Sequence, residues 1–183
     1  MLCQFSPEGD KKTLKDFFDV PIDVYPVGRL DYDSEGLLVL TNDTTVNKAL
    51  LQPAQAHERE YWSQVEGIIT DEALQKLRNG VDINVDGKIH RTQKCKARAF
   101  TKSPNVPERN PPIRFRKNVP DSWLKLILTE GKNRQVRKMT AAVGLPTLRL
   151  VRYRIGSLTI DGLQPGDICQ ITRRQLQLPL AEK

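Results

Sequence analysis

The sequence of 183 residues has few of the residues on which metal-binding and disulfide-stabilised proteins depend. Its three cysteines (Cys3, Cys95 and Cys169) lie far apart, form no Cys-x-x-Cys motif and are accompanied by only two histidines. This pattern excludes zinc fingers and zinc deaminases, and an odd number of cysteines favours a reducing compartment. Apolar runs such as Leu37–Leu40 are far shorter than the roughly 18 residues of a membrane-spanning helix, and the first residues lack the apolar stretch of a secretion signal. We therefore expect a cytoplasmic protein that makes no contact with a membrane.

Positive charge is in excess, and it is unevenly distributed. The chain has 29 lysines and arginines against 22 aspartates and glutamates, which gives a net charge of +7. The segment from Lys132 to Arg154 holds seven basic residues and no acid, whereas the first third of the chain is rich in aspartate. Because like charges repel one another when no counter-charge is near, this segment favours a polyanionic partner such as nucleic acid.

The hydrophobic patterning predicts more strands than helices. Strands are predicted over Val24–Val27, Leu37–Leu40, Glu60–Glu66, Val81–Val85, Lys88–Arg91, Lys94–Phe100, Trp123–Thr129 and Thr147–Ile155. Helices are predicted over Thr13–Phe18, Thr44–Gln52, the segment between Thr70 and Gly80, and Asn133–Val143. Asp86-Gly87 is a hairpin signal, and Thr101–Pro112 with its four prolines predicts a loop. Since the elements do not alternate strictly, we expect an α+β fold with a mainly antiparallel sheet.

One segment combines glycines with closely spaced acids. Gly28 and Gly36 frame a loop that presents Asp31, Asp33 and Glu35 at alternate positions, after which the chain becomes apolar. The three carboxylates could be metal ligands, an acid pair of the glycosidase kind, one catalytic carboxylate with two solvated neighbours, or ordinary turn residues. The spacing only superficially matches a calcium-binding loop, because counted from Asp31 the glutamate required at the twelfth position is missing and Asn42 stands there.

The same loop, with two later motifs in order, resembles the bacterial rRNA pseudouridine synthase family. The matching segments are Gly28–Asp31 with Ser34–Asp43, Arg59–Gly67, Arg109–Arg114, Glu130–Met139 and Gly144–Leu150. Arg109–Arg114 and Gly144–Leu150 are most similar to the branch that acts on large-subunit rRNA. The resemblance implies the pseudouridine synthase fold: a central, mainly antiparallel mixed sheet flanked by helices and loops, with a catalytic cleft across it. It also implies an isomerase that converts uridine to pseudouridine without a cofactor or a metal.

The resemblance extends over nearly the whole chain, with a few departures. We expect one catalytic domain over residues 1–183, or two packed half-domains, with no S4-like domain before it and with a shortened first strand. Lys132 and Lys138 stand where family members commonly have arginine, and Ser34 stands where many have threonine.

Three residues are expected to perform the chemistry. Isomerisation needs an ionised carboxylate beside the sugar, which attacks C1′ or the base, or takes a proton from C2′, and the family match gives this role to Asp31. An enclosed carboxylate needs a cation to remain ionised, and the resemblance implies that Arg137 forms this salt bridge, with Arg29 as the rival. Tyr61 matches the tyrosine that stacks on the uracil ring, which constrains the plane of the base but not its rotation within that plane.

The neighbours of these residues are expected to have structural roles. Asp33 and Glu35 are predicted to be solvent-facing turn residues. Since side chains alternate along a strand, Trp62 should point away from Tyr61, and we expect it in the core.

Contacts to RNA are expected from the basic residues around the site. Because a paired uridine is hidden, the target must be flipped out or already unpaired, and cations hold the surrounding phosphates. Arg29 is expected to bind the backbone of the flipped nucleotide. The other candidates for contact with RNA are Arg114, Arg116, Lys132, Arg134, Lys138, Arg149 and Arg152. The predicted partner is large-subunit ribosomal RNA, bound by a monomer.

Two other classes of function compete with this hypothesis. A non-catalytic rRNA-binding or ribosome-assembly module could keep the same fold, although such a module would have no use for Asp31, Tyr61 and Arg137 together. A hydrolase or phosphotransferase could use the three loop carboxylates with Mg²⁺, but the sequence shows no phosphate-cradling loop.

Overall fold

Strands dominate the computed structural model, which describes residues 1–51, 57–113 and 119–176. The strands in chain order are β1 (Tyr25–Pro26), β2 (Glu35–Gly36), β3 (Leu40–Thr41), β4 (Arg59–Glu66), β5 (Asp82–Val85), β6 (Lys88–Arg91), β7 (Lys96–Ala99), β8 (Asp121–Leu128), β9 (Thr147–Ile155) and β10 (Leu158–Thr159). The helices are a 3-10 turn (Leu14–Asp16), α1 (Thr44–Leu51), α2 (Asp71–Asn79) and α3 (Gln135–Ala142). None of the helices in these ranges is long and apolar enough to cross a membrane.

The central sheet has the order β10-β9-β4-β8-β7, and β2 pairs with β9. All of its pairings are antiparallel except that of β2, which lies parallel to β9. The α+β class with a mainly antiparallel mixed sheet is therefore confirmed. The long strands β4, β8 and β9 form where the sequence alternates or is rich in β-branched and aliphatic residues, which fit a pleated surface.

Two helices cover one face of this sheet. Leu74 and Leu77 of α2 and Met139 of α3 are buried in one cluster with Leu124 and Leu126 of β8. Helix α2 begins and ends as its sequence predicts: the Thr70 side chain accepts a hydrogen bond from the backbone of Ala73, and Gly80 follows its last turn. This cluster supports the central strands from which the site residues project.

The turn between β5 and β6 is also confirmed. Asp86 and Gly87 both have positive φ, 51° and 83°, as a two-residue hairpin of type I′ requires. The hairpin brings His90 to the edge of the cleft described below.

The predicted strand over Leu37–Leu40 does not form as one element. The segment is divided: Leu37 donates its backbone N–H to the carbonyl oxygen of Arg152 on β9, and the carbonyl oxygen of Val39 accepts from Val27, beside β1. The backbone thus leaves one sheet and joins another within three residues. The predicted helix over Thr44–Gln52 is confirmed as far as Leu51, and residue 52 lies outside the described ranges.

Replacing Gly36 with alanine should cost about 2–4 kcal/mol of unfolding free energy. Gly36 has φ +108°, and an added Cβ would lie 2.3 Å from the carbonyl oxygen of Arg152 on β9. The collision is with backbone, so the β2–β9 pairing would have to open. Urea denaturation measures the effect, with Gly131→Ala as control because no atom lies within 4 Å of a Cβ there. Equal stability of the two variants would contradict this account of β2.

Candidate active site

The loop from Gly28 to Gly36 is held at both ends and in the middle. At its end Gly36 pairs with Arg152 on β9. Within it, the backbone N–H of Ser34 donates to the carbonyl oxygen of Asp31 at 2.9 Å and closes a turn. Ahead of Asp31, the Sγ of the buried Cys3 accepts the backbone N–H of Leu30 at 3.4 Å. The position of Asp31 is therefore set by contacts on both sides of it.

The cation in contact with Asp31 is Arg134. Nη1 of Arg134 lies 3.7 Å from Oδ2 of Asp31, and the Asp31 side chain is 29% exposed. The aspartate is thus sheltered but open to an incoming ligand.

Asp33 fixes the guanidinium of Arg134. Nη1 and Nη2 of Arg134 donate to the two carboxylate oxygens of Asp33 at 2.9 and 3.0 Å, a bidentate pair. The hydrogen bonds from Arg134 hold the pKa of Asp33 below its ordinary value despite partial burial. Arg134 has φ 50° and ψ 33°, a left-handed conformation that non-glycine residues seldom adopt. Such a conformation is maintained only where surrounding contacts stabilise it, and the pair with Asp33 is one of these contacts.

Arg137 does not make the predicted salt bridge with Asp31. Its Nη2 donates to the backbone oxygen of Asp33 at 2.8 Å and lies 3.4 Å from the Asp33 carboxylate, while Nη1 donates to the carbonyl oxygen of Thr147 at 3.4 Å. The reason is geometric: on α3 Arg137 lies one turn after Arg134, under the loop, where only 11% of its side chain is exposed. Burial lowers the pKa of Arg137, although the charge of Asp33 opposes this effect. Arg137 therefore joins the loop to β9.

Glu35 is not a solvent-facing turn residue: it lies in β2 and pairs with Arg149, which is therefore not free for a phosphate. Asp33 does lie in a turn with 39% of its side chain exposed, but it is paired with Arg134. Nε and Nη2 of Arg149 donate to the two oxygens of Glu35 at 2.9 and 2.7 Å, and Nη2 also donates to the carbonyl oxygen of Pro107. Arg109 adds a second cation at 3.6 Å from Glu35. Arg149 is only 7% exposed, and its charge is neutralised within the fold by the ion pair with Glu35. The predicted contact between Arg149 and RNA is corrected accordingly.

Beside the loop lies a cleft of about 380 Å³. Its lining residues come from segments far apart in the chain: Val27, Gly28, Arg29, Val39, Leu50, Leu51, Arg59, Tyr61, His90, Gln93, Thr129, Glu130, Gly131, Lys132, Arg152 and Ile155. The cleft thus brings together four of the predicted site residues: Arg29, Tyr61, Lys132 and Arg152. Asp31 is not a lining residue; it lies two positions along the loop from Arg29.

Tyr61 and Trp62 point to opposite faces of β4, as predicted, but Trp62 is not in the core. The half-buried Tyr61 packs against the main core cluster and lines the cleft. Trp62 stacks on Tyr153 at a centroid distance of 3.9 Å and donates its indole N–H to Glu60. The face it occupies carries charged side chains such as Lys125, which pairs with Glu60, so Trp62 remains half-buried there.

The remaining predicted RNA contacts differ in their exposure. Arg29 and Lys132 are exposed, whereas Lys138 is half-buried on α3. Arg152 is 5% exposed and donates from Nε to the carbonyl oxygen of Leu37. Its burial contradicts a role in binding phosphates at the surface. Arg114 and Arg116 lie outside the described residues.

Sequence reasoning missed a polar network that holds the turn before α3. The amide of the buried Gln135 donates to Glu130 at 2.6 Å and accepts the backbone N–H of Lys132 at 2.8 Å. Glu130 also contacts the ring of His90 at 3.1 Å and accepts the backbone N–H of Gln93. The sequence signal for this network is the glutamine within a basic motif, since a neutral amide binds phosphate less strongly than a cation does and so indicates a structural role. The network positions Lys132 at the rim of the cleft.

Comparisons with known proteins agree with this architecture. A family model described as RNA pseudouridylate synthase matches residues 1–142. A Xanthomonas axonopodis pv. citri protein named ribosomal large subunit pseudouridine synthase E is 52% identical over 167 residues, which are 90% of this chain and 85% of that protein. A Vibrio parahaemolyticus protein of the same name is 49% identical over 165 residues, 90% of this chain and 67% of that one. A crystal structure titled pseudouridylate synthase superposes with a TM-score of 0.74 at 24% identity, covering 96% of this chain and 67% of that one, and confirms the fold.

Proposed function

This chain belongs to the RNA pseudouridylate synthase family, and we propose that it isomerises a uridine of large-subunit ribosomal RNA to pseudouridine. The names of relatives about 50% identical to it support this substrate. The observation that carries the proposal is the placement of Asp31, which contacts Arg134 in a loop whose residues Gly28 and Arg29 line a cleft containing Tyr61. We further propose that residues 1–183 act as one catalytic domain, as a cytoplasmic monomer.

Asp31 supplies the reactive carboxylate in this proposal. It acts on the ribose, either by attacking C1′ or by taking a proton from C2′, so that the bond between N1 and C1′ breaks. The base then turns and rejoins C1′ through C5, and the proton on C5 is lost. Tyr61 presents an aromatic ring in the cleft on which the base can stack while it turns.

The proposed reaction is tested with ribosomal RNA that carries tritium at C5 of uridine. We expect release of tritium to water without added metal, because formation of the new bond at C5 expels that hydrogen. Binding of RNA without release would instead identify a non-catalytic module. Turnover that requires Mg²⁺, with products other than pseudouridine, would indicate a hydrolase or phosphotransferase. Sequencing of the modified RNA then locates the uridine.

A further inference from the structure

Arg152 is a buried cation with an unused donor. It is 5% exposed, and its Nε–H is taken by the carbonyl oxygen of Leu37 at 2.8 Å. Its Nη2 is buried and has no hydrogen-bond partner within residues 1–51, 57–113 and 119–176. A buried polar group without a partner costs free energy, and a buried charge costs more. Such a group in a cleft points to an acceptor supplied by a ligand.

The surroundings of Arg152 indicate where that acceptor would lie. Arg152 and Tyr61 are directly opposite each other on β9 and β4, and both line the cleft. A second guanidinium, that of Arg59, also lines the cleft and donates to the carbonyl oxygen of Leu50 at 2.6 Å. Neither arginine makes an ion pair with a carboxylate in the described part of the chain. The cleft therefore holds two uncompensated cations beside an aromatic ring.

The cleft fits a nucleobase better than a phosphate. Val27, Val39, Leu50 and Ile155, all nearly fully buried, form an apolar wall of the same cleft. A phosphodiester is held at the surface by the nucleotides on either side of it, whereas a flipped base is the part of the RNA that enters a recess. An apolar wall and a ring suit the faces of a pyrimidine, and guanidinium donors suit its carbonyl edge.

We propose that Arg152 is a catalytic residue that donates its free Nη2–H to a carbonyl oxygen of the uracil and stabilises the base as an anion. This rests on the proposed function. When the bond between C1′ and N1 breaks, its electron pair leaves with the uracil and spreads to the two carbonyl oxygens. When C5 bonds to C1′ the pair is used, the C5 proton departs and N1 gains a proton, so no charge remains. A hydrogen-bond donor that stabilises a charge formed only during the reaction lowers the activation barrier of that reaction.

A binding experiment without turnover tests this proposal first. The probes are uracil, the anion that 5-nitrouracil forms at mildly alkaline pH, and inorganic phosphate. The wild-type protein should bind the 5-nitrouracil anion about tenfold more tightly than uracil, and Arg152→Met should remove that preference. Equal binding of the two bases, or binding of phosphate that Arg152→Met abolishes, would overturn the proposal. Because no catalysis is measured, failure of the proposed function gives a different result, namely no tritium release by the wild type.

Kinetics supply the second test. Arg152→Met should reduce the single-turnover rate by about 100-fold while RNA affinity changes little. Arg152→Lys should recover only part of the rate, because the single nitrogen of a lysine cannot reach both the Leu37 carbonyl oxygen and the base as the planar guanidinium does. Folding should survive, since a buried uncompensated charge is replaced by an apolar chain of similar length. The matched control is Arg149→Met, another buried arginine of β9, which should leave the preference for the 5-nitrouracil anion intact. A defect confined to RNA affinity would assign Arg152 to backbone binding and contradict the proposal.

Discussion

Asparagine in place of Asp31 should reduce pseudouridine formation at least about 1,000-fold while the RNA dissociation constant stays within threefold of wild type. The amide has the size of the carboxylate but can neither attack C1′ nor accept a proton from C2′. In the wild type, Asp31 and Arg134 form an ion pair at 3.7 Å, and their side chains are 29% and 43% exposed. Loss of this pair should therefore barely affect the free energy of unfolding. Tritium release and filter binding on the same RNA measure the two effects separately.

Asp33→Asn is the matched control for this variant. Asp33 lies two residues further along the same loop and holds Arg134 and Arg137, but it takes no part in the chemistry in our proposal. We expect a smaller loss of activity, together with a lower melting temperature, because two arginines lose their carboxylate. Turnover by Asp31→Asn at the wild-type rate would falsify the role of Asp31. A larger defect in Asp33→Asn would transfer that role to Asp33.

Local signals in the sequence were sufficient for much of the fold. The predicted range Thr147–Ile155 coincides with β9, and Asp86-Gly87 forms the expected turn. These features depend on residues close together in the chain, such as φ preferences and caps. The division of Leu37–Leu40 between two sheets could not be predicted this way, since it depends on which distant backbone each residue meets.

Which charged residues pair at the site could not be predicted from local sequence patterns either, because the partners are far apart in the chain. The acid-free segment from Lys132 to Arg154 suggested a surface for phosphates, yet three of its arginines pair with carboxylates more than 100 positions earlier: Arg134 and Arg137 with Asp33, and Arg149 with Glu35. The acidic residues of the first third and the basic residues of the later segment form ion pairs with each other. A sequence shows both charges but not which partner each of them meets.

The largest remaining test separates the roles of Arg134 and Arg137. Arg134 contacts Asp31, so Arg134→Gln should leave the Asp31 carboxylate without its nearest cation. We expect the single-turnover rate to fall by about tenfold, because the guanidinium that orients the loop carboxylates is lost. Arg134→Lys should recover much of the rate, since an ammonium keeps a cation beside Asp31.

Arg137→Gln should behave differently, because Arg137 links the backbone of Asp33 to the carbonyl oxygen of Thr147. Loss of this link lets the loop shift, and a misplacement of about 1 Å costs roughly 100-fold in rate. Arg137→Lys should recover little of that loss, since a single ammonium cannot join the two backbone oxygens as the guanidinium does. If Arg137→Lys restores the rate and Arg134→Lys does not, the salt bridge implied by the sequence resemblance forms during catalysis after all. Single-turnover rates of the glutamine and lysine variants at both positions decide between these outcomes.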